Sequence, residues 1–138
     1  MKIIAITILF ITSHFIYAQS EITGVWLTQD KEVKVEIYEN NGKYFGKSIW
    51  LKNPNTKNGN PRLDERNPNQ SLRKRSLLNL VILTDFIYED KEWIDGRLYD
   101  PNEGETYSCK MWLENPKVLK VRGYVGFLYE TETWTKLP

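Results

Sequence analysis

Thr106-Tyr107-Ser108-Cys109-Lys110-Met111-Trp112-Leu113-Glu114-Asn115-Pro116-Lys117-Val118-Leu119-Lys120-Val121-Arg122 decides the fold. Tyr107, Cys109, Met111 and Leu113 fall on one side of an extended chain, with Thr106, Ser108, Lys110 and Trp112 on the other. After Asn115-Pro116 the pattern resumes, Leu119 and Val121 opposing Lys120 and Arg122. A period of two marks a strand with one buried face, because successive side chains leave a strand on opposite sides. The Asn-Pro pair favours a tight reversal, so the two strands are antiparallel neighbours.

Working outward, the same period recurs where Val33, Val35 and Ile37 alternate with Lys34, Glu36 and Tyr38. Strands are expected at 23–28, 32–39, 43–51, 80–88, 92–99, 105–114, 118–124 and 127–135. Between them stand Asn40-Asn41-Gly42, Glu89-Asp90, Asp100-Pro101-Asn102-Glu103-Gly104 and Asn115-Pro116, all rich in turn formers. The fold class is therefore all-β: eight antiparallel strands closing into an up-and-down barrel, whose interior is either filled by side chains or holds one small ligand. Val35, Met111 and Val121 are expected inside.

One interruption, residues 52–79, is too long for a simple connection, and such segments in compact domains are usually functional. Asn67 as N-cap, Pro68 at the first helical position and Gln70 three residues after the cap predict a short helix from Pro68 to about Lys74 over one barrel mouth. Arg73, Lys74 and Arg75 would stand at its C-terminus, where the macrodipole favours cations. Leu72, Leu77 and Leu78 are the apolar side chains expected to cap the mouth as a lid.

At the N-terminus, Met1-Lys2 is basic, Ile3 to Ile16 is almost unbroken apolar sequence, and Tyr17-Ala18 offers a small residue for cleavage. That pattern is a secretory signal. Residues 1–18 are expected to be removed, leaving one domain over 19–138 that is exported to a periplasm or the exterior. About two thirds of the surface of a domain this long is buried on folding. Without Lys2, the basic and acidic residues number eighteen each, so the mature chain is neutral. Nucleic-acid binding normally requires a basic excess, and no second apolar run reaches the ~20 residues of a membrane-spanning helix. The only histidine, His14, leaves with the signal, and a single cysteine remains, so the commonest general base and the usual zinc-ligand sets are missing. No cofactor or metal is implied, and no feature sets an oligomeric state.

Gly24-Val25-Trp26, Ile49-Trp50-Leu51-Lys52, Asp64-Glu65-Arg66-Asn67-Pro68, Leu72-Arg73, Leu77-Leu78, Gly96-Arg97-Leu98-Tyr99-Asp100-Pro101, Gly104-Glu105-Thr106-Tyr107, Leu119-Lys120-Val121-Arg122-Gly123 and Thr133-Trp134 occur in a fixed order over residues 24–137. In these the chain resembles domain-of-unknown-function family 2147, small exported bacterial proteins. The resemblance implies a lipocalin-like barrel and carries no catalytic residues. Gly24-x-Trp26 is also similar to the first-strand motif of lipocalins, where the tryptophan packs beneath a late-strand arginine; Arg122 is the candidate for that partner. Many members carry cysteines where this chain has Phe45, Tyr124 and Tyr129, which implies aromatic packing in place of disulfides. Asn79 stands where glycine is usual, and Asn tolerates a left-handed conformation.

Other combinations have simpler structural explanations. Glu130 and Glu132 share a strand face and could form a glycosidase carboxylate pair, but a solvent-exposed face of the last strand explains them. Asp64, Asn67 and Asn69 could offer oxygens to calcium, but a calcium loop normally has more carboxylates, and turn and cap roles suffice. Arg73-Lys74-Arg75 could hold an anion or be a solvated helix end. Cys109 reads as a buried thiol. Trp26, Trp50, Trp93, Trp112 and Trp134 could stack on sugars or bases, and a barrel of this size also needs such rings as core and end plugs. A binding barrel for a small apolar ligand is the first functional reading, with Trp26, Leu98, Tyr107, Met111, Val121 and Arg122 as lining candidates and Gly96 and Gly123 leaving space inside. A filled, envelope-associated barrel is second. An enzyme relying on carboxylates, tyrosine or lysine is third.

Overall fold

The computed structural model describes residues 18–138, so the predicted signal lies outside the described residues except for its last position. Eight strands follow in order: β1 (Gly24–Leu27), β2 (Val33–Asn40), β3 (Lys43–Leu51), β4 (Val81–Glu89), β5 (Glu92–Asp100), β6 (Glu105–Asn115), β7 (Val118–Val125) and β8 (Leu128–Lys136). Their ends differ from the sequence expectation by no more than one residue. Each strand pairs antiparallel with the next and β8 returns to β1, closing the barrel. The β2–β3 and β4–β5 connections are two-residue turns in which both residues have positive φ, Asn41 and Gly42 at 53° and 81°, Asp90 and Lys91 at 50° and 65°. Such turns match the twist of the strands they join.

The closing seam is short, Trp26 opposite Lys136 and Leu27 opposite Thr135. Gly24 has φ +130° and lies against the Lys136 stem, 3.0 Å from where a Cβ would stand. The stem can therefore pass, placing Lys136 Nζ 5.4 Å from the Trp26 ring centroid and donating to Glu21 O at 2.9 Å. The late-strand cation over Trp26 is thus Lys136. Arg122 points outward by strict alternation, over the rings of Trp112 and Tyr129 at 4.8 and 4.1 Å, with Nε donating to Thr131.

Inside, the barrel is unevenly filled. Ile22, Trp26, Ile37, Tyr44, Phe86, Trp93, Met111 and Leu119 pack together with Val35 and Val121, mostly toward the end closed by the β2–β3, β4–β5 and β6–β7 turns. Val35 and Met111 are fully buried and Val121 nearly so, as the alternation requires. Asp85 and Asp95 adopt positive φ, and the β5–β6 register shifts between Trp93 and Gly96. These irregularities turn Phe86 across Gly96, where a Cβ would stand 2.3 Å from the ring. Gly96 therefore leaves no vacant space; its missing side chain admits Phe86. Gly123 differs, since an added Cβ would meet only Tyr107 Cβ at 3.7 Å.

Residues 52–79 do not form the expected helix. Only a 3-10 turn, Gln70–Leu72, is present, and its cap is Asn69, whose side chain accepts from Ser71 N. Asn67 is engaged elsewhere: its amide donates to Asp64 at 2.9 Å and its oxygen accepts from Asn69 N. That oxygen accepts from Asn69 N as an N-cap oxygen would, but Asn69 itself is extended, at φ −87° and ψ 109°, so no helix continues from Pro68. The segment folds back on itself, with Asn55 opposite Pro61 and Leu63 opposite Ser76.

Gly96→Ala tests the plug. Forcing a methyl group into the Phe86 ring should cost about 1–3 kcal/mol, as overpacking does, read as a lower denaturant midpoint. A loss under about 0.5 kcal/mol, the surface range, would show that Phe86 does not fill this space.

Candidate functional site

At the other end the barrel is open. A cavity of about 610 Å³ lies among the β1–β2, β5–β6 and β7–β8 turns and the 52–79 segment. Val33, Leu51, Ile82, Leu98, Val121 and Trp134 give it an apolar interior, with Val121 and Trp134 almost wholly buried at its base. Ser48, Tyr99 and Tyr107 add hydroxyls to the wall. Tyr107 donates to Glu103, and this hydrogen bond pushes the phenol up to about 12.

The last strand supplies what the sequence reading had facing solvent. Cross-strand partners share a face of the sheet. Val121 pairs with Glu132, Gly123 with Glu130 and Leu119 with Trp134, so Glu130, Glu132 and Trp134 all face inward. Both carboxylates line the cavity. Glu132 Oε2 accepts from Trp134 Nε1 at 2.8 Å, fixing a half-buried carboxylate beside the cavity base.

Of the lining candidates, the structure brings Leu98, Tyr107 and Val121 together around the cavity. Trp26 and Met111 belong to the filled end, and Trp26 Nε1 donates to Ile22 O at 2.8 Å. Arg122 is outside, as described above. Among the lid candidates only Leu77 is buried and reaches the cavity; Leu72 is half-buried away from it, and Leu78 is 40% exposed. Leu77 packs with Leu51 and Leu80. Ser48, buried between these elements, donates to Leu77 O and accepts from Leu80 N. Asn79 sits there with φ 64°, the left-handed conformation anticipated for it, and its N–H reaches Ser48 O. Sequence reasoning missed Ser48 and Trp134 as wall residues. For Ser48 the signal was its place on the same face of β3 as Tyr44 and Gly46; for Trp134 the strand pattern, with glutamates on one face and threonines on the other, offered none.

Asp64 anchors the rest of the segment. It is fully buried and accepts from the hydroxyl of Tyr99, from Asn67 Nδ2 at 2.9 Å and from Arg75 Nε at 2.8 Å. Arg75 also lies over the Tyr99 ring, and Arg73 Nε donates to Asn67 O at 2.7 Å. Two of the three cations expected at a helix end therefore tie the loop instead, and the oxygens considered for calcium are satisfied by donors. Arg66 donates to Asn102 O, while Gly104, φ +72°, passes so close to Arg66 that a Cβ would fall 2.0 Å from its carbonyl oxygen. This contact locks the segment to the β5–β6 turn. Cys109 is buried and its thiol is pushed up to about 12 by that burial, so it is not a ready nucleophile. Among the described residues no group of three His, Cys, Asp or Glu converges as metal ligands, and no helix is long and apolar enough to cross a membrane.

Comparison with known proteins fits this geometry. The model of a family described as "Uncharacterized protein conserved in bacteria (DUF2147)" matches residues 24–136. A search of curated proteins finds no match. Among solved structures, the chain is similar to protein HP1028 from Helicobacter pylori, described as belonging to the lipocalin family. Identity is 27%, the TM-score is 0.73, and the likeness covers 85% of this chain and 83% of that one.

The Asp64 anchor gives a pH prediction. Burial raises its carboxyl, but hydrogen bonds from Tyr99, Asn67 and Arg75 outweigh that and hold it below the usual value. Its stabilisation is therefore complete above about pH 3.9, the unfolded value, and is lost as pH falls further through the lowered folded value. Asp64→Asn should cost about 1–3 kcal/mol at neutral pH and shrink the acid-side fall in stability below about pH 4. An unchanged melting temperature and acid limb would show that other contacts hold the segment.

Proposed function

The chain belongs to this family of uncharacterised bacterial proteins, and on that premise we propose that it is an exported barrel that holds one small, largely apolar ligand at its open end. The observation that carries this reading is the cavity of about 610 Å³, lined by Ile82, Leu98 and Val121. Ligand sites in proteins are typically concave, mostly apolar and about 300–1,000 Å³, with a few placed polar groups. Eight-stranded barrels of the lipocalin kind hold one small ligand in such a space. A barrel filled from end to end and acting only through its outer surface would have no such void. The 52–79 segment supports binding as a fixed wall, since Asp64, Ser48 and Arg66 tie it down at three places. Export is supported by the Met1–Ala18 pattern.

Gly123→Leu should separate binding from folding. The substitution projects four carbons into the cavity at a position where backbone and neighbours accept a Cβ. Uptake of a fluorescent apolar probe should fall at least about tenfold, a loss of about 1.4 kcal/mol, while the melting temperature changes little. Unaltered uptake would place the bound probe elsewhere, and no uptake by the unsubstituted protein would contradict the reading. For export, N-terminal sequencing of protein recovered outside the cytoplasm should begin near Gln19; an intact Met1 on that material would refute it.

A further inference from the structure

Resting on the cavity reading, we propose that the ligand is an organic cation, an apolar body bearing a protonated or quaternary amine, with its charge held between Glu130 and Glu132. Along β8 the inward positions run from Trp134 at the cavity base through Glu132 and Glu130 toward the mouth. Apolar contact therefore lies deepest and negative charge above it. Among the described residues, the ion pairs are Lys43–Asp85, Lys47–Glu36, Arg75–Asp64 and Lys110–Glu92, none of which involves Glu130 or Glu132. The nearby strand cations turn the other way, Lys120 to Thr133 and Arg122 to Thr131 on the outer surface. Space is available beside the charge, because Gly123 is the cross-strand partner of Glu130 and has no side chain to fill it.

The remaining lining charges reinforce the sign. Asp30, Glu32, Asp100 and Glu103 stand at the rim, and Arg62 is the only cation among the lining residues. Arg62 is already occupied by Asn53 O and Asn102 Oδ1, each at 3.2 Å. A low-dielectric cleft with one sign of charge concentrates the opposite sign. Glu130 and Glu132 stand two residues apart, their backbone positions roughly 7 Å apart along the strand, and among the described residues no third His, Cys, Asp or Glu converges with them to complete the oxygen set a divalent ion needs. An ammonium, with several donors or methyl groups spread over a larger volume, fits that spacing.

Calorimetry with three ligands of one chain length, decyltrimethylammonium, decanol and decanoate, tests the proposal on the chain from Gln19 to Pro138. The ammonium should bind at least about tenfold tighter than decanol, with decanoate weakest, and added salt should narrow the gap. Glu130→Gln with Glu132→Gln should weaken the ammonium at least about tenfold more than decanol; glutamine keeps an acceptor for Trp134. Should that pair fail to give a cooperative melt, Glu130→Gln alone, at an exposed position, carries the test with the same direction of change. Equal affinities, tighter decanoate, or equal losses for ammonium and decanol would overturn the cationic ligand and leave the apolar cavity standing. Binding of none of the three would overturn the cavity reading and the cationic ligand with it.

Discussion

The ring of Phe86 lies where a side chain at position 96 would otherwise stand, and the division of the barrel depends on that contact. An eight-stranded barrel is just wide enough for side chains to fill its interior. With Phe86, Trp26 and Trp93 on one side of the divide, that end is packed like any protein core. Beyond it the inward residues become smaller or polar, Gly123, Ser48, Glu130 and Glu132, and packing stops. The cavity is thus the gap that these positions leave among the remaining large side chains, Leu51, Leu98, Tyr107 and Trp134. It needs no special scaffold besides the bulges at Asp85 and Asp95, which aim Phe86 inward at positive φ.

The open end is built to stay open. Residues 52–79 contribute little core, yet they are pinned through polar groups: Asp64 to Tyr99, Ser48 to the backbone of Leu77 and Leu80, and Arg66 to Asn102. Buried polar networks are stable only when their members are satisfied, and here each donor finds its acceptor. A wall held in this way gives a preformed pocket, which lowers the ordering cost of binding. The β7–β8 turn contrasts with it, carrying Phe127 at 93% exposure beside Val125 and Leu128, also exposed, at the mouth.

Most of the strand order was legible in the sequence because β2, β6 and β7 have a clear apolar and polar face and the turns between them carry Asn, Gly, Asp or Pro. The site was less legible, for physical reasons. In β8 the inward positions include Glu130 and Glu132, and Thr131 and Thr133 face out, so neither side reads as apolar and the face cannot be assigned from pattern alone. Alternation placed Gly96 correctly inside, but a bulge elsewhere on the ladder fills the space it leaves. The cap signal at Asn67-Pro68 was real chemistry, since Asn67 accepts from Asn69 N, but the extended backbone of Asn69 breaks the helix there and restarts a single 3-10 turn. Lys136 over Trp26 was missed because the sequence pattern ended β8 one residue early. The aromatics at the three positions where the resemblance implied cysteines are paired, with Phe45 stacked on Tyr38 at 5.8 Å and Tyr124 beside Tyr129 at 6.0 Å.

A barrel packed at one end and hollow at the other makes a spatial claim that one titration can read. Two-dimensional NMR of the chain from Gln19, followed during addition of a small apolar probe, reports every indole and methyl group at once. Signals of Trp134, Leu98 and Val121 should move with saturation while those of Trp26, Trp93 and Met111 stay in place. Shifts spread evenly over both sets, or confined to the second, would contradict the division of the barrel into a filled half and a binding half.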